Sequence, residues 1–288
     1  MQEKSELYET EQLQNAAKQI KLVMADVDGT LLTSDQVVDE QTIQAIADLR
    51  KNGILFGLCT GRETQSVLDA LPAWGIDGLV DAIVGSGGSE IMDLNLKKRV
   101  QQYPLSGSLI HKIMKHYEDM PVSFVIPENG LLYSFADDQR IRDLSKGDRI
   151  PYEVVDADEF LKVNHPKVML TFKPETMDAV KERSLTFSDP EFTGAPLVTA
   201  SVLFEYMDPR VSKPAGLKEL LKWHGWSEEN LCSFGDEDND YAMTKMAGLG
   251  VVMGNGSAKT KSAANAITDD NNHAGIAKFI EAYLVPAK

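Results

Sequence analysis

Short, wholly apolar runs alternate with amphipathic stretches along the first part of the chain. Leu22-Val23-Met24-Ala25 reads as a buried strand, and Asp39 is placed to cap a helix whose apolar face is Ile43, Ile46, Ala47 and Leu49. Asn52-Gly53 stops that helix, and Ile54-Leu55-Phe56-Gly57-Leu58-Cys59 reads as a second buried strand. A helix over about residues 63–71 ends before Pro72, and Ala82-Ile83-Val84 supplies a third strand. The order strand, helix, strand predicts a parallel sheet with right-handed crossovers.

The pattern changes at Gly85-Ser86-Gly87-Gly88, where a domain boundary is expected. Beyond it, Ser123-Phe124-Val125-Ile126 and Leu131-Leu132-Tyr133-Ser134-Phe135 flank Pro127-Glu128-Asn129-Gly130 and read as a hairpin. Helices are expected over residues 108–118 and 175–184, and strands over 167–173, 197–200 and 202–207. From Ser212 the first style returns, with a helix to His224-Gly225, strands at residues 231–234 and 251–253, and a closing helix over 275–284. The expected fold is therefore α/β: a Rossmann-like parallel-sheet core from residues 21–86 and 209–288, interrupted by an inserted α+β domain over 87–208. Residues 1–20 form a polar leader, with Leu7, Leu13 and Ile20 its only large aliphatics, and read as a surface-lying helix.

Composition narrows the class. With 288 residues, 43% of them hydrophobic, the chain can bury a full core. Neither a membrane-length apolar run nor a signal-peptide pattern is present, so a soluble, cytoplasmic protein is expected, a monomer or small homo-oligomer. Cys59 and Cys232 each sit in an apolar run and read as buried thiols. The net charge of −15 argues against nucleic-acid and membrane partners, which require clustered Lys and Arg. If the substrate is an anion, local positive charge must come from a metal or a few placed lysines.

The candidate chemistry lies at the expected strand ends. Asp26-Val27-Asp28-Gly29-Thr30 follows the first strand, and residues two apart in an extended backbone project to one side, so Asp26 and Asp28 can face one pocket. A solvated Asp-Gly turn would account equally well for those five residues alone. Thr60-Gly61-Arg62 ends the second strand and offers a hydroxyl and backbone N–H groups, a small cradle for phosphate oxygens; a simple Thr-Gly turn is the competing reading. Lys213 stands between Ser212 and Pro214 at a helix start, where a cation is unfavourable unless an anion is near or the side chain runs into solvent. Gly235-Asp236-Glu237-Asp238-Asn239-Asp240 brings a second carboxylate cluster to a parallel strand's end, where open α/β sheets bind ligands. Hard oxygen ligands of this kind suit Mg²⁺. An EF-hand loop fails on spacing from either Asp26 or Asp236, the glycine stretches do not fit a dinucleotide fingerprint, and the five histidines show no paired metal spacing.

These residues, from Lys21 onward, closely resemble the haloacid dehalogenase superfamily of phosphohydrolases, and within it the Cof-type, type IIB sugar-phosphate phosphatases. Four signatures occur in order: Asp26-Val27-Asp28-Gly29-Thr30-Leu31, Thr60-Gly61-Arg62, Val211-Ser212-Lys213 and Gly235-Asp236-x-x-Asn239-Asp240. The resemblance implies that Asp26 is the nucleophile and Asp28 the general acid and base, and that the insert is a cap. It implies that Thr60 and Lys213 bind phosphate, and that Asp26, the Asp28 carbonyl and Asp236 hold Mg²⁺. Gly61 is expected to join the phosphate cradle, Asn239 to hydrogen-bond phosphate or Asp26, and Asp240 to orient the metal shell from behind. Two positions depart from the family pattern: Gly87-Gly88-Ser89 stands in place of an Asn-Gly-Ala-like loop, and Pro214 follows the motif lysine. Residues 86–91 are similar instead to a loop of sucrose-phosphate phosphatases. A Mg²⁺-dependent phosphatase acting on small phosphorylated metabolites through an aspartyl phosphate is expected. The alternatives are a sugar phosphomutase of the same fold or a non-catalytic phosphosugar-binding regulator.

Overall fold

The computed structural model describes residues 7–285, so the first six residues of the expected leader lie outside the described residues. Helix α1 (Thr10–Ala17) leads into strand β1 (Leu22–Ala25), α2 (Glu40–Lys51), β2 (Leu55–Cys59), α3 (Thr64–Ala70) and β3 (Ala82–Gly85). After a one-turn 3₁₀ segment (Ser86–Gly88) come β4 (Glu90–Asp93), β5 (Lys98–Gln101), α4 (Gly107–His116), β6 (Ser123–Glu128) and β7 (Leu131–Ser134). The middle of the chain continues with α5 (Gln139–Asp148), β8 (Tyr152–Val154), α6 (Ala157–Phe160), β9 (Val168–Thr171), α7 (Met177–Ser184), β10 (Leu197–Ala200) and β11 (Leu203–Tyr206). It closes with α8 (Lys213–His224), β12 (Leu231–Gly235), α9 (Tyr241–Met246), β13 (Leu249–Val252), α10 (Ala258–Lys261), β14 (Ala266–Ile267) and α11 (Gly275–Phe279). No helix among the described residues is long and apolar enough to cross a membrane.

Among the described residues, the first compact unit comprises 7–62, 70–100 and 213–285. Its sheet has the order β14-β13-β12-β1-β2-β3-β4-β5, parallel from β14 to β3 and antiparallel between β3 and β4. β1 is central: Leu22 pairs with Leu55 on one side and Leu231 on the other, and all four of its residues are buried. A strand covered on both faces needs an unbroken apolar run, which explains the sequence of β1, β2 and β12. Met24, Cys59, Val84, Leu217, Leu220 and Met243 pack together in a core formed by the sheet and α8 and α9. Asp39 caps α2 by accepting from the Thr42 N–H at 2.9 Å, and Gly53 takes the left-handed φ of 77° that ends the helix. Leu13 and Ala17 of α1 are buried, as is Ile20 beyond it.

The second unit comprises residues 63–69 and 101–212, with the sheet order β10-β11-β9-β6-β7-β8. Its strands pair antiparallel, except β7 with β8. The hairpin forms as expected, but Pro127 and Glu128 belong to β6, and only Asn129 (φ 54°) and Gly130 (φ 77°) make the turn. Those two positive φ values define the turn type whose twist matches paired strands. Its core packs Leu109, Ile113, Tyr117, Leu170 and Tyr206. The sequence draws the boundary between residues 86 and 87. In the structure β4 and β5 extend the first sheet, so the long stretch of the second unit begins at 101. Lys98-Arg99-Val100-Gln101 is an exposed edge strand and carries no apolar pattern to announce it.

Candidate active site

Neighbouring strands β12, β1 and β2 end at the same sheet edge, which is also where the chain's winding direction reverses about β1. The ladder runs on one step beyond β1, with the Asp26 N–H donating to the Phe234 carbonyl at 3.0 Å. Asp26, Thr60 and Asp236 are thereby delivered side by side from three strands. α8 begins at Lys213, and the missing N–H of Pro214 costs nothing in a helix's first turn.

Lys213 is almost wholly buried and does not run into solvent. Its Nζ donates to Asp26 Oδ1 at 2.5 Å and to Asp240 Oδ1 at 2.6 Å. The other oxygen of Asp240 accepts the N–H groups of Asp236 (3.0 Å) and Glu237 (3.3 Å), so this carboxylate is committed to holding Lys213 and the turn after β12. Asp236 accepts from the Thr30 hydroxyl at 2.6 Å. Asp26 Oδ2 takes no hydrogen bond from the described residues. Asp26, Asp236 and Asp240 each offer an oxygen within 4.8 Å of the others, a group that could hold a metal ion.

Burial of these carboxylates is electrostatically unfavourable. Burial pushes Asp26 up to about 7, with Asp240 and Asp236 adding to the rise and Lys213 opposing it. Burial raises Asp236 to about 6; Thr30 opposes, and Asp240 and Glu237 reinforce. Burial works against the charge of Lys213, but Asp26 and Asp240 outweigh it and raise its pKa. One ammonium among three carboxylates leaves a negative, hard-oxygen site, and this donor set fits a small divalent cation.

Gly29 lets the site close. It has a φ of 78°, and a Cβ there would lie 2.4 Å from Asp236 Oδ2. Gly29→Ala is therefore expected to push Asp236 off its place, adding a backbone cost of about 1–2 kcal/mol. Thermal unfolding and phosphate release, measured together, should both fall; unchanged activity would free Asp236 from that tight packing.

The structure places the remaining expected residues less uniformly. Thr60 is buried, its hydroxyl accepting the Arg62 N–H at 3.1 Å, and Gly61 is exposed beside it. Asn239 is exposed on the turn that ends with Asp240. Asp28 is half exposed and its carboxylate stands outside the Asp26, Asp236, Asp240 group. Sequence reasoning gave Asp28 a carboxylate neighbour; the structure gives it Arg62, whose Nε and Nη2 donate to its two oxygens at 2.9 and 2.6 Å. Arg62 received no role from the sequence, although its motif was singled out. Asn255 was also missed: it follows the neighbouring strand β13 and donates to the Gly29 carbonyl at 2.8 Å. Its position at yet another parallel strand end was the available signal.

Residues 23–280 match the family model of the haloacid dehalogenase-like hydrolases. The chain is 26% identical over 266 residues to a 5-amino-6-(5-phospho-D-ribitylamino)uracil phosphatase of Bacillus subtilis, covering 91% of this chain and 97% of that protein. It is 26% identical over 293 residues to the pyridoxal phosphate phosphatase of Escherichia coli, covering 92% and 99%. In fold it is similar to a haloacid dehalogenase-like hydrolase from Bacteroides thetaiotaomicron, with a TM-score of 0.83 at 21% identity over 91% of this chain and 98% of that one. The chain belongs to the haloacid dehalogenase-like hydrolases, as a phosphatase of their Cof type.

Proposed function

We propose that this phosphatase is Mg²⁺-dependent and hydrolyses small phosphorylated metabolites, sugar phosphates foremost, through an aspartyl phosphate on Asp26. The observation that carries the reading is the state of Asp26: one oxygen is gripped by Lys213 and the other is left for attack. Asp26 Oδ2 forms a bond to phosphorus as the bond to the leaving oxygen breaks, and Asp28 gives that oxygen a proton. A water then gives its proton to Asp28 and attacks the same phosphorus, which releases phosphate and restores the Asp26 carboxylate. Lys213 sets positive charge beside the transferring group, and the Thr60 hydroxyl and Gly61 N–H offer donors to its oxygens. Asp26, Asp236 and the Asp28 carbonyl would hold Mg²⁺, which would supply charge neutralisation for the phosphoryl oxygens. Both curated relatives are named for small phosphorylated compounds, one of them carrying a phosphorylated ribityl chain, which supports the substrate class. Cys59 and Cys232 are free and buried, in keeping with a cytoplasmic enzyme.

Phosphate release across a panel of phosphorylated metabolites tests the substrate class, and EDTA is expected to abolish it. Formation of an isomerised sugar phosphate without free phosphate would favour a mutase instead. The cation requirement has a second, activity-free readout. Because the folded state raises Asp26 and Asp236, it retains protons the unfolded chain has lost, so stability without metal falls as pH rises to about 7. A cation binding the ionised carboxylates reverses that loss, so the rise in Tm on adding MgCl₂ should be larger at pH 8 than at pH 5. Equal shifts, or none, would count against a metal among these carboxylates.

A further inference from the structure

The one-turn segment between β3 and β4 holds two unfavourable features close together. Ser86 is fully buried with a φ of 48°, a left-handed conformation that a non-glycine residue resists. Four residues on, Glu90 is a carboxylate only 3% exposed. Backbone strain of this kind persists where the surroundings over-determine it, and it gathers at functional sites.

The surroundings here lead to the catalytic loop. The Ser86 hydroxyl donates to Glu90 Oε2 at 3.2 Å, and Arg99 lies 3.5 Å from the other Glu90 oxygen. The Ser89 hydroxyl and N–H both close on the Ser86 carbonyl, at 3.2 and 3.3 Å. The left-handed kink aims two successive N–H groups outward: Ser86 donates to the Arg62 carbonyl at 2.7 Å and Gly87 to the Thr60 carbonyl at 3.0 Å. A right-handed Ser86 would lose both. The turn also lies flush against α8, since a Cβ on Gly216 would come within 3.0 Å of Gly88 Cα. It is thus packed against the helix that begins with Lys213 and hydrogen-bonded to the loop carrying Thr60 and Arg62.

We propose that Ser86 and Glu90 are positioning residues for Asp28, acting through Arg62. Glu90 holds the Ser86 hydroxyl and with it the left-handed turn. The N–H groups of the turn fix the backbone of Thr60 and Arg62, and the Arg62 guanidinium then holds the Asp28 carboxyl group in one orientation, where a leaving oxygen can meet it. The inference rests on Asp28 acting as proton donor, as proposed above.

The test compares kcat/KM for glucose 6-phosphate, or the alkyl phosphate that the wild-type enzyme hydrolyses best, with kcat/KM for p-nitrophenyl phosphate. An alkoxide needs a proton to leave, whereas nitrophenolate does not, so a misplaced acid is felt only with the alkyl substrate. Ser86→Val, whose β-branched side chain resists the left-handed region, and Glu90→Ala are expected to lower the alkyl value about tenfold or more beyond the aryl value, which falls only as far as the hold on Thr60 loosens. Ser86→Asn, which tolerates that region, and Glu90→Gln, which still accepts the hydroxyl proton, are expected to recover most of the loss. Ser86→Ala serves if the valine variant does not fold. Equal losses on both substrates, or no loss on either, would overturn the proposal. Asp28→Asn distinguishes the two layers: if it shows no alkyl bias the proton-donor reading fails, whereas a bias there without one at Ser86 and Glu90 removes only the positioning role.

Discussion

Asp26→Asn is expected to lower phosphate release by on the order of 10⁴-fold or more while leaving the protein at least as stable as wild type. Asparagine matches aspartate in shape and can still accept from Lys213, which donates to Asp26 Oδ1 at 2.5 Å. What it removes is the nucleophilic charge. That charge is also unfavourable in the fold, because burial with Asp240 and Asp236 nearby raises Asp26 to about 7. Above that pH the wild-type chain carries an ionised carboxylate that its surroundings disfavour, and the variant does not. Activity and stability should therefore move in opposite directions, as expected when a residue is retained for chemistry at the expense of the fold. Phosphate release and thermal unfolding at pH 8 without metal measure the two halves. Intact-mass analysis of substrate-treated protein adds a third, since a phosphorylated chain should appear in the wild type only. Activity within tenfold of wild type would disqualify Asp26 as the nucleophile.

Features set by local physics were legible before the fold was known. The cap at Asp39 and the stop at Gly53 follow from helix ends alone, and the apolar runs of β1, β2 and β12 follow from burial on both faces. The convergence of Asp26, Thr60, Asp236 and Lys213 was legible because parallel strands share one carboxyl edge. Features set by tertiary pairing were not. β5 pairs at an edge with mostly exposed residues, so no alternation marks it and the insert was begun too early in the chain. Arg62 sits in a motif chosen for its hydroxyl and N–H groups, and only folding brings its guanidinium to Asp28. Asp240 was expected to orient the metal shell from behind; in the structure its oxygens divide between Lys213 and two backbone N–H groups, a use that spacing could not specify. Glu63 gave no signal at all, yet it is buried and accepts from Gln65, Ser66 and, across the second unit, from Gly130 of the hairpin turn.

Lys213→Met is the other substitution with a large expected effect, and it should damage both activity and stability. Methionine keeps much of the aliphatic volume of the buried lysine and removes the ammonium that lies 2.5 Å from Asp26 and 2.6 Å from Asp240. The two carboxylates are then left facing each other with no cation between them, and removing one partner from a buried ion pair typically destabilises by about 3–5 kcal/mol. Protonation relieves the repulsion, and Asp26 already favours its proton up to about 7, so the loss should be greater at pH 8 than at pH 5. Turnover is expected to fall by roughly 10²–10³-fold, the usual consequence of deleting a fixed positive group beside developing charge. Arginine should not restore it, because a planar fork cannot replace a point charge held by two carboxylates in a closed space. Combining Lys213→Met with Asp26→Asn separates the causes: with one carboxylate neutralised, the double variant should lose less stability than Lys213→Met alone. If the double variant is as unstable as the single one, the destabilisation comes from lost packing, and the repulsion between Asp26 and Asp240 is not its source.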